Sequence, residues 1–253
     1  MEYAIETIGL SRIYETVRAV DGIDLRVERG SFYGFLGPNG AGKSTTIKIL
    51  TGITAPSSGE ARILGYHLRR SPLLIKRRIG VVPEDLCLFE NLTASEYLVF
   101  VGRMYHLPRA VASRRCEELL ALLGLADTGK TLVLEFSHGM KKKLSLAASI
   151  IHDPELLFLD EPFEGVDAIT SRTIRAVLDR MVERGATVFL TSHILEIVER
   201  LCTHVGIIHR GKLVRQGPLR DLTGGGSLEE AFVAAVGQPL DMGVNLSWLG
   251  GRA

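Results

Sequence analysis

Cysteine is scarce. Cys87, Cys116 and Cys202 are the only three in 253 residues, and their spacing fits neither a metal knuckle nor an even-numbered disulfide framework. They read as reduced thiols. A surplus of charge is missing too. Thirty lysines and arginines against 29 acids leave +1, where a general nucleic-acid binder carries a basic excess. Nor is there a long apolar run. "LSLAASII" stops at His152 and "ELLFLDE" has strand length, both well short of the roughly 18 residues of a membrane span. The opening "MEYAIETIGL" has no basic leader followed by an apolar core, so no signal peptide is expected. A soluble chain is expected. What the sequence does have is enough apolar residue, 46%, to bury a core. Its length suits one large domain or two small ones.

The first third reads as strands and turns. "IDLRVERGSFYGFLG" alternates up to Arg29-Gly30 and then becomes nearly continuous in apolar residues, which predicts a hairpin leading into a buried strand. "TTIKILTGI" predicts a helix ending near Gly52. "SSGEARILG" predicts a turn and short strand, and "RRIGVVP" a short buried strand closed by Pro83. From Leu92 to Gly139 the pattern is helical, with Thr93 and Glu96 spaced as a capping box and Gly124 ending a second helix. "PELLFLDEP" and "ATVFLTSH" read as strands of a parallel sheet. "VGIIHRGKLVRQG" reads as a last hairpin. "TGGGS" (223–227) reads as a flexible joint, followed by a small amphipathic helix on Leu228, Ala231, Phe232, Ala235 and Val236. From Gln238 onward no pattern is visible. No internal repeat is found.

Chemistry concentrates in three places. "GPNGAGKST" comprises Gly37, Pro38, Asn39, Gly40, Ala41, Gly42, Lys43, Ser44 and Thr45, and fits the phosphate-binding loop G-x-x-x-x-G-K-[ST] between a strand and a helix. Its glycines let the backbone wrap phosphates, and the amides at the helix start face the anion. Lys43 is expected to reach the β- and γ-phosphates of a nucleotide, and Ser44 to ligate Mg²⁺. "LLFLDE" ends a buried strand in two carboxylates. Asp160 is placed to hold Mg²⁺, and Glu161 to orient an attacking water. His193 closes "TVFLTSH" at another strand end, and ligands in parallel sheets bind beyond those ends. It is expected to contact the γ-phosphate.

With these residues in view the chain resembles the ATP-binding subunit of an ABC transporter, from about Tyr3 to Gly217. Tyr14 matches the aromatic that stacks on adenine, and Glu84 in "VVPEDL" takes the Q-loop position. "FSHGM" (136–140) takes the place of the signature LSGGQ, and "GVD" (165–167) that of the D-loop. The resemblance implies an α/β fold: a P-loop NTPase core with a parallel sheet, an N-terminal antiparallel β region and an inserted helical subdomain at about 88–143. Residues 1–222 would form the ATP-binding domain and 223–253 the joint and C-terminal extension. The cofactors implied are ATP and Mg²⁺. Ser44, Asp160 and Glu84 would hold the metal. Ser137, Gly139 and Asp167 would act on ATP bound to a second subunit, in a homo- or heterodimer.

The resemblance further implies integral-membrane transporter subunits as partners, docking near Glu84 to Phe100. The chain would then sit in the cytoplasm, peripheral on the inner face of the membrane. Nucleic acid is not an expected partner. Glu84 stands where the family usually has Gln, and His138 where the signature has its first glycine. Both changes, with "EDLCLFENLTASEYL" and "SLEEAFVAAVG", resemble a branch serving exporters of drugs, polysaccharides or lipids. The alternative is a soluble ABC ATPase acting on DNA or ribosomes, which usually carries two such units or a long coiled-coil insert. A third option is a nucleotide switch that does not hydrolyse, against which Glu161 and His193 argue. Lys141, Lys142 and Lys143 open the signature helix, where positive charge opposes the helix dipole. They suit a place near a triphosphate, and for at least two of them a solvated face suits equally.

Overall fold

A computed structural model describes residues 2–237. The stretch from Gln238, where the sequence pattern gives out, lies outside the described residues. The chain opens with β1 (Tyr3–Tyr14), β2 (Val17–Ile23), β3 (Arg26–Glu28), β4 (Phe32–Leu36) and α1 (Lys43–Leu50). Then come β5 (Ser58–Ile63), β6 (Tyr66–His67), α2 (Pro72–Lys76) and β7 (Ile79–Val82), followed by three helices, α3 (Ala94–Met104), α4 (Arg109–Leu122) and α5 (His138–Ile150). The rest is β8 (Leu156–Asp160), α6 (Ala168–Glu183), β9 (Thr187–Ser192), α7 (Leu195–Leu201), β10 (His204–His209), β11 (Lys212–Pro218), α8 (Leu219–Thr223) and α9 (Leu228–Val236).

Two sheets result. One is antiparallel, ordered β2-β1-β5-β6, with β3 also paired to β1. The other is ordered β11-β10-β4-β9-β8-β7 and is parallel except for β11. This is the expected α/β architecture with an antiparallel N-terminal region and three inserted helices. The hairpin expected across Arg29-Gly30 does not form. β3 pairs with β1 and β4 lies between β10 and β9. All five residues of β4 are buried, so it needs neighbours on both edges and cover on both faces, which a hairpin with the half-exposed β3 cannot give.

Strand periodicity splits the core in two. Phe32, Leu36, Leu157, Leu159, Val188 and Leu190 face one side of the parallel sheet. Tyr33, Phe35, Leu156, Phe158 and Phe189 face the other, against Ile47, Ile49 and Leu50 of α1. The inserted helices have no separate core. Tyr97, Leu98, Cys116 and Leu120 join the first cluster. Thr93 caps α3, its hydroxyl accepting from the Glu96 amide while Glu96 accepts from the Thr93 amide.

After α5, His152 stacks on Tyr105 with ring centroids 3.6 Å apart. Its Nε2 lies 3.0 Å from the Ile79 carbonyl and its Nδ1 is buried without a partner. Burial pushes this imidazole down to about 4, against the pull of the Ile79 carbonyl. At the C-terminal end, Gly224 and Gly225 take positive φ and turn the chain, so that α9 packs Leu228, Phe232 and Val236 onto the first cluster.

Candidate active site

Four parallel strands end side by side. Leu36 of β4 pairs with Ser192 of β9, Thr191 of β9 with Asp160 of β8, and Leu159 of β8 with Val82 of β7. Whatever follows those residues must emerge on one edge, which is where parallel sheets place their ligands. Residues 37–42, Glu161, His193 and Glu84 all emerge there. A cleft of about 280 Å³ lies there, with Asn39, Gly40, Lys43, Glu84, Glu161 and His193 among the residues on its walls.

The loop after β4 needs its glycines for two physical reasons. Gly42 sits at φ 109°, and a Cβ there would lie 2.3 Å from the Ala19 carbonyl oxygen. At Gly37 the obstacle is the Ile208 carbonyl oxygen, 2.4 Å from an added Cβ. The tight path sets Lys43 at the first position of α1, buried at the cleft floor. Its ammonium donates to the Gly37 carbonyl at 2.7 Å and to the Pro38 carbonyl at 3.4 Å.

Glu161 lies between two cationic or protonatable groups. Its Oε1 is 3.3 Å from Lys43 Nζ and its Oε2 is 3.1 Å from His193 Nδ1. Oε1 is buried and makes no hydrogen bond, the ammonium's geometry being spent on the loop carbonyls. A buried carboxylate oxygen with an unfilled lone pair, facing a cleft, suits a proton acceptor. The backbone of Glu161 is unusual as well, with φ at 47°. A non-glycine residue held there costs on the order of 1–3 kcal/mol.

Beside it, the Ser44 hydroxyl is shared between Asp160 Oδ1 at 3.2 Å and Glu84 Oε2 at 3.3 Å. Burial raises the Asp160 carboxyl above its ordinary range, and the charge of Glu161 adds to this. Hydrogen bonds from Thr191 and Ser44 and the charge of Lys43 oppose it. Three hard oxygen donors thus converge, Asp160 buried and Glu84 at the exposed rim, which fits a small divalent cation. Among the described residues no group of three or more His, Cys, Asp or Glu forms a full cage. Mg²⁺ binds through one or two carboxylates together with phosphates and water, a donor set to which Asp160 and Glu84 are suited.

Ser137, Gly139 and Asp167 gather elsewhere. None of them lines the cleft. Ser137 caps α5, accepting from the Met140 amide at 3.3 Å. A Cβ at Gly139 would meet Thr170 Oγ1 at 3.2 Å and Asp167 Oδ2 at 3.5 Å. The N-termini of α5 and α6 therefore abut. Asp167 caps α6 by accepting from the Ile169 and Thr170 amides and the Thr170 hydroxyl, which hold its carboxyl below the usual range. His138 packs beside Gly165. Tyr14 ends β1, is 40% exposed, and carries the Arg12 guanidinium 4.6 Å from its ring centre. It too lies outside the cleft lining.

The lysine run divides between a partly exposed face and the interior. Lys141 pairs with Glu90 at 2.6 Å. Lys142 is buried and donates to the Glu161 carbonyl at 2.7 Å. Burial lowers the basicity of Lys142, while the charges of Glu164, Glu161, Glu84 and Asp160 restore part of it. Lys141, though paired, and Lys143 are both partly exposed, so Lys142 alone of the three is withdrawn from solvent. Two residues that the motifs did not single out therefore belong to the site. Lys142 stands four residues before the buried Leu146, at helical spacing for an inward position. Thr191 is fully buried, donates to Asp160 Oδ1 at 2.6 Å and accepts from the Glu161 amide at 3.0 Å. A threonine in the apolar run "TVFLTS", at the strand's carboxyl end, was its signal.

Known proteins match this arrangement. The family model described as ABC transporter matches residues 20–164. The daunorubicin/doxorubicin resistance ATP-binding protein of Streptomyces peucetius is 40% identical over 219 residues, covering 87% of this chain and 66% of that protein. The chain belongs to the ABC transporter family. It is an ATPase cassette of that family. The bacitracin transport ATP-binding protein of Bacillus licheniformis is likewise 40% identical, over 223 residues, with 88% of this chain and 72% of that protein covered. The chain thus spans only part of these relatives' lengths. A solved structure of an ATP-binding subunit of an ABC transporter superposes with a TM-score of 0.86 at 32% identity, over 92% of this chain and 100% of that one. A dimeric cassette bound to ADP and phosphate shares the fold, with a TM-score of 0.79 at 23% identity over 85% of this chain and 99% of that one.

Proposed function

We propose that this ABC cassette hydrolyses MgATP as a head-to-tail dimer and so drives integral-membrane subunits that export drug-like compounds. The observation that carries the reading is the convergence of Lys43, Ser44, Glu161 and His193 on one cleft, with Asp160 accepting from Ser44 there. The loop amides of Gly37–Thr45 and Lys43 hold the phosphates. Lys43 then exchanges the Glu161 carboxylate for phosphate oxygens, which frees Oε1. Ser44, Asp160 and Glu84 would hold Mg²⁺. When bound there, Mg²⁺ supplies neutralisation of the charge on the β- and γ-phosphate oxygens. Glu161 takes a proton from the water that attacks the γ-phosphorus, the bond to the bridging oxygen breaks, and ADP and phosphate leave. His193 keeps the Glu161 carboxylate aimed and contacts the γ-phosphate. Tyr14 stacks on adenine.

Ser137, Gly139 and Asp167 sit apart from the cleft of their own chain, which supports their action on ATP held by a second subunit. Ile169, 80% exposed beside Asp167, suits a covered face. The membrane partner has a candidate seat in a groove of about 660 Å³ lined by Leu86, Leu88, Phe89, Leu92 and Phe100. Phe89 and Phe100 are exposed there and meet edge to face at 5.5 Å. The groove begins two residues after Glu84, which touches Ser44, so the partner seat and the nucleotide site are linked through one loop. No helix among the described residues is long and apolar enough to cross a membrane. The proposal places the chain on the cytoplasmic face, attached through its partner. Relatives named for drug resistance and bacitracin transport support export over action on DNA or ribosomes.

Glu161→Gln tests the reading. It keeps the shape but cannot take the proton, so turnover should fall at least about 10²-fold while MgATP binding is retained. The variant should accumulate as a dimer with MgATP in size-exclusion chromatography with light scattering. Near-normal turnover would remove Glu161 from the chemistry. A slow variant that binds MgATP but stays monomeric would refute the shared-nucleotide dimer.

A further inference from the structure

We propose that Lys142 is a positioning residue for hydrolysis, holding Glu161 in its left-handed backbone conformation through a hydrogen bond to its carbonyl. The proposal rests on the reading of Glu161 as the proton acceptor and deepens it. Glu161 has φ 47°, a region that side-chain-bearing residues leave unless both flanking peptides are held. Both are held here. Its amide donates to Thr191 Oγ1 at 3.0 Å. Its carbonyl accepts from Lys142 Nζ at 2.7 Å and, across the turn, from the Glu164 amide at 3.2 Å.

The Thr191 and Glu164 contacts come from the sheet and from the turn itself. Of the contacts to the Glu161 backbone, that of Lys142 alone comes from another layer of the fold. It extends from the second turn of α5 and crosses 19 residues of sequence to do so. Burying an ammonium is costly unless a specific interaction needs it there. A packing role would be filled better by leucine or methionine, because Leu144, Leu146 and Ala147 of the same helix are buried without charge. The ammonium instead meets the Glu161 backbone carbonyl, whereas Lys43 meets the carboxylate. Removing it releases the peptide that sets where the Glu161 carboxylate points, without touching nucleotide. The same helix is capped by Ser137, about 7.5 Å along the axis from Lys142. A change in the seating of α5 is therefore passed to Glu161 by a rigid rod.

The test separates positioning from packing. Lys142→Met keeps length and apolar volume but has no donor, and Lys142→Arg keeps a donor. Turnover and MgATP affinity are measured in both, and Lys142→Met is also combined with Glu161→Gln. Lys142→Met should lower kcat about 10- to 100-fold, the scale of a reacting group displaced by about 1 Å. MgATP affinity should stay within about 2-fold, and Lys142→Arg should restore most of the lost kcat. In the Glu161→Gln background, Lys142→Met should change the residual rate by less than about 2-fold, since the group it positions is already gone.

A kcat within about 2-fold of wild type for Lys142→Met overturns the proposal. So does a full further loss in the Glu161→Gln background, or a parallel fall of binding and turnover. If Lys142→Met does not fold, Lys142→Gln takes its place with the same expectations. Should neither neutral variant fold, Lys142→Arg decides: kcat and pH profile like wild type support the donor role, and kcat below about one tenth with intact MgATP binding overturns it. If Glu161→Gln itself keeps near-normal turnover, the catalytic reading falls first. A slow Glu161→Gln beside an unaffected Lys142→Met sinks the positioning role alone.

Discussion

Replacing Thr191 with valine would expose how the strand ends are held. The hydroxyl is fully buried and serves two neighbours, donating to Asp160 Oδ1 at 2.6 Å and accepting from the Glu161 amide at 3.0 Å. Thr191→Val preserves the branched shape and the strand preference and exchanges only that oxygen for a methyl group. A hydrogen bond to a charged group is lost, about 1.5–3 kcal/mol, and a buried amide is left without an acceptor, about 1–3 kcal/mol. Together these come to about 3–5 kcal/mol, below the plain sum of the upper values because one atom makes both contacts. For a chain of this size each kcal/mol moves Tm by about 2–4 °C, so the variant should melt about 6–20 °C lower. The Asp160 carboxyl also loses a donor that opposes the effect of burial. Its support as a metal ligand weakens, and the Mg²⁺ concentration needed for half-maximal turnover should rise about 10-fold or more. Thr191→Ser keeps the hydroxyl, should lose about 1 kcal/mol for its missing methyl group, and should leave the Mg²⁺ requirement unchanged. Calorimetry and phosphate release titrated with Mg²⁺ provide the readouts. A valine variant that melts within about 2 °C of wild type with the same Mg²⁺ dependence would refute the bridging role.

Gly42→Ala forces a side chain to φ 109° with its Cβ 2.3 Å from the Ala19 carbonyl oxygen. It should weaken ATP binding at least about 10-fold and lower Tm, the backbone alone costing about 1–3 kcal/mol, and ATP titration with thermal melting checks both. His152 is held down to about 4, so the unfolded chain takes up this proton near pH 6.5 and the folded one only near 4. The folded state is therefore fully favoured above about pH 6.5 and should lose about 3 kcal/mol as pH falls toward 4, a slope that His152→Phe should flatten and that unfolding curves at several pH values will show or deny.

The groups that converge in the cleft were legible because each is announced by a local pattern and the sheet does the rest. A strand followed by Gly37–Thr45, a strand ending in Asp160 and Glu161, and a strand ending at His193 are each readable within about ten residues. Once the strands are parallel neighbours, their ends must meet. What local pattern could not supply was the identity of partners distant in sequence. The alternation before Arg29-Gly30 is real in β3, yet β3 pairs with β1 while β4 goes to the middle of the other sheet. Alternation tells which faces are buried and says nothing about which strand lies alongside.

The lysine run shows the same limit at the scale of a helix. Read as charge, Lys141, Lys142 and Lys143 are one feature. Read with a turn every 3.6 residues, they point about 100° apart and must have three different fates. One meets Glu90, one is buried against the Glu161 carbonyl, and one stays partly exposed without an acidic partner among the described residues. The positive φ of Glu161 has no sequence signature either, since it follows from what holds the residue and not from what it is. Motifs therefore reveal the groups that line the cleft, and the groups that contact them from behind the strand ends appear only once the layers are stacked. In this cassette Thr191 and Lys142 hold the two peptides that flank Glu161 from two different layers, one from the sheet and one from α5. That arrangement lets the state of α5 set the geometry at Glu161 without any change in the residues that bind phosphate.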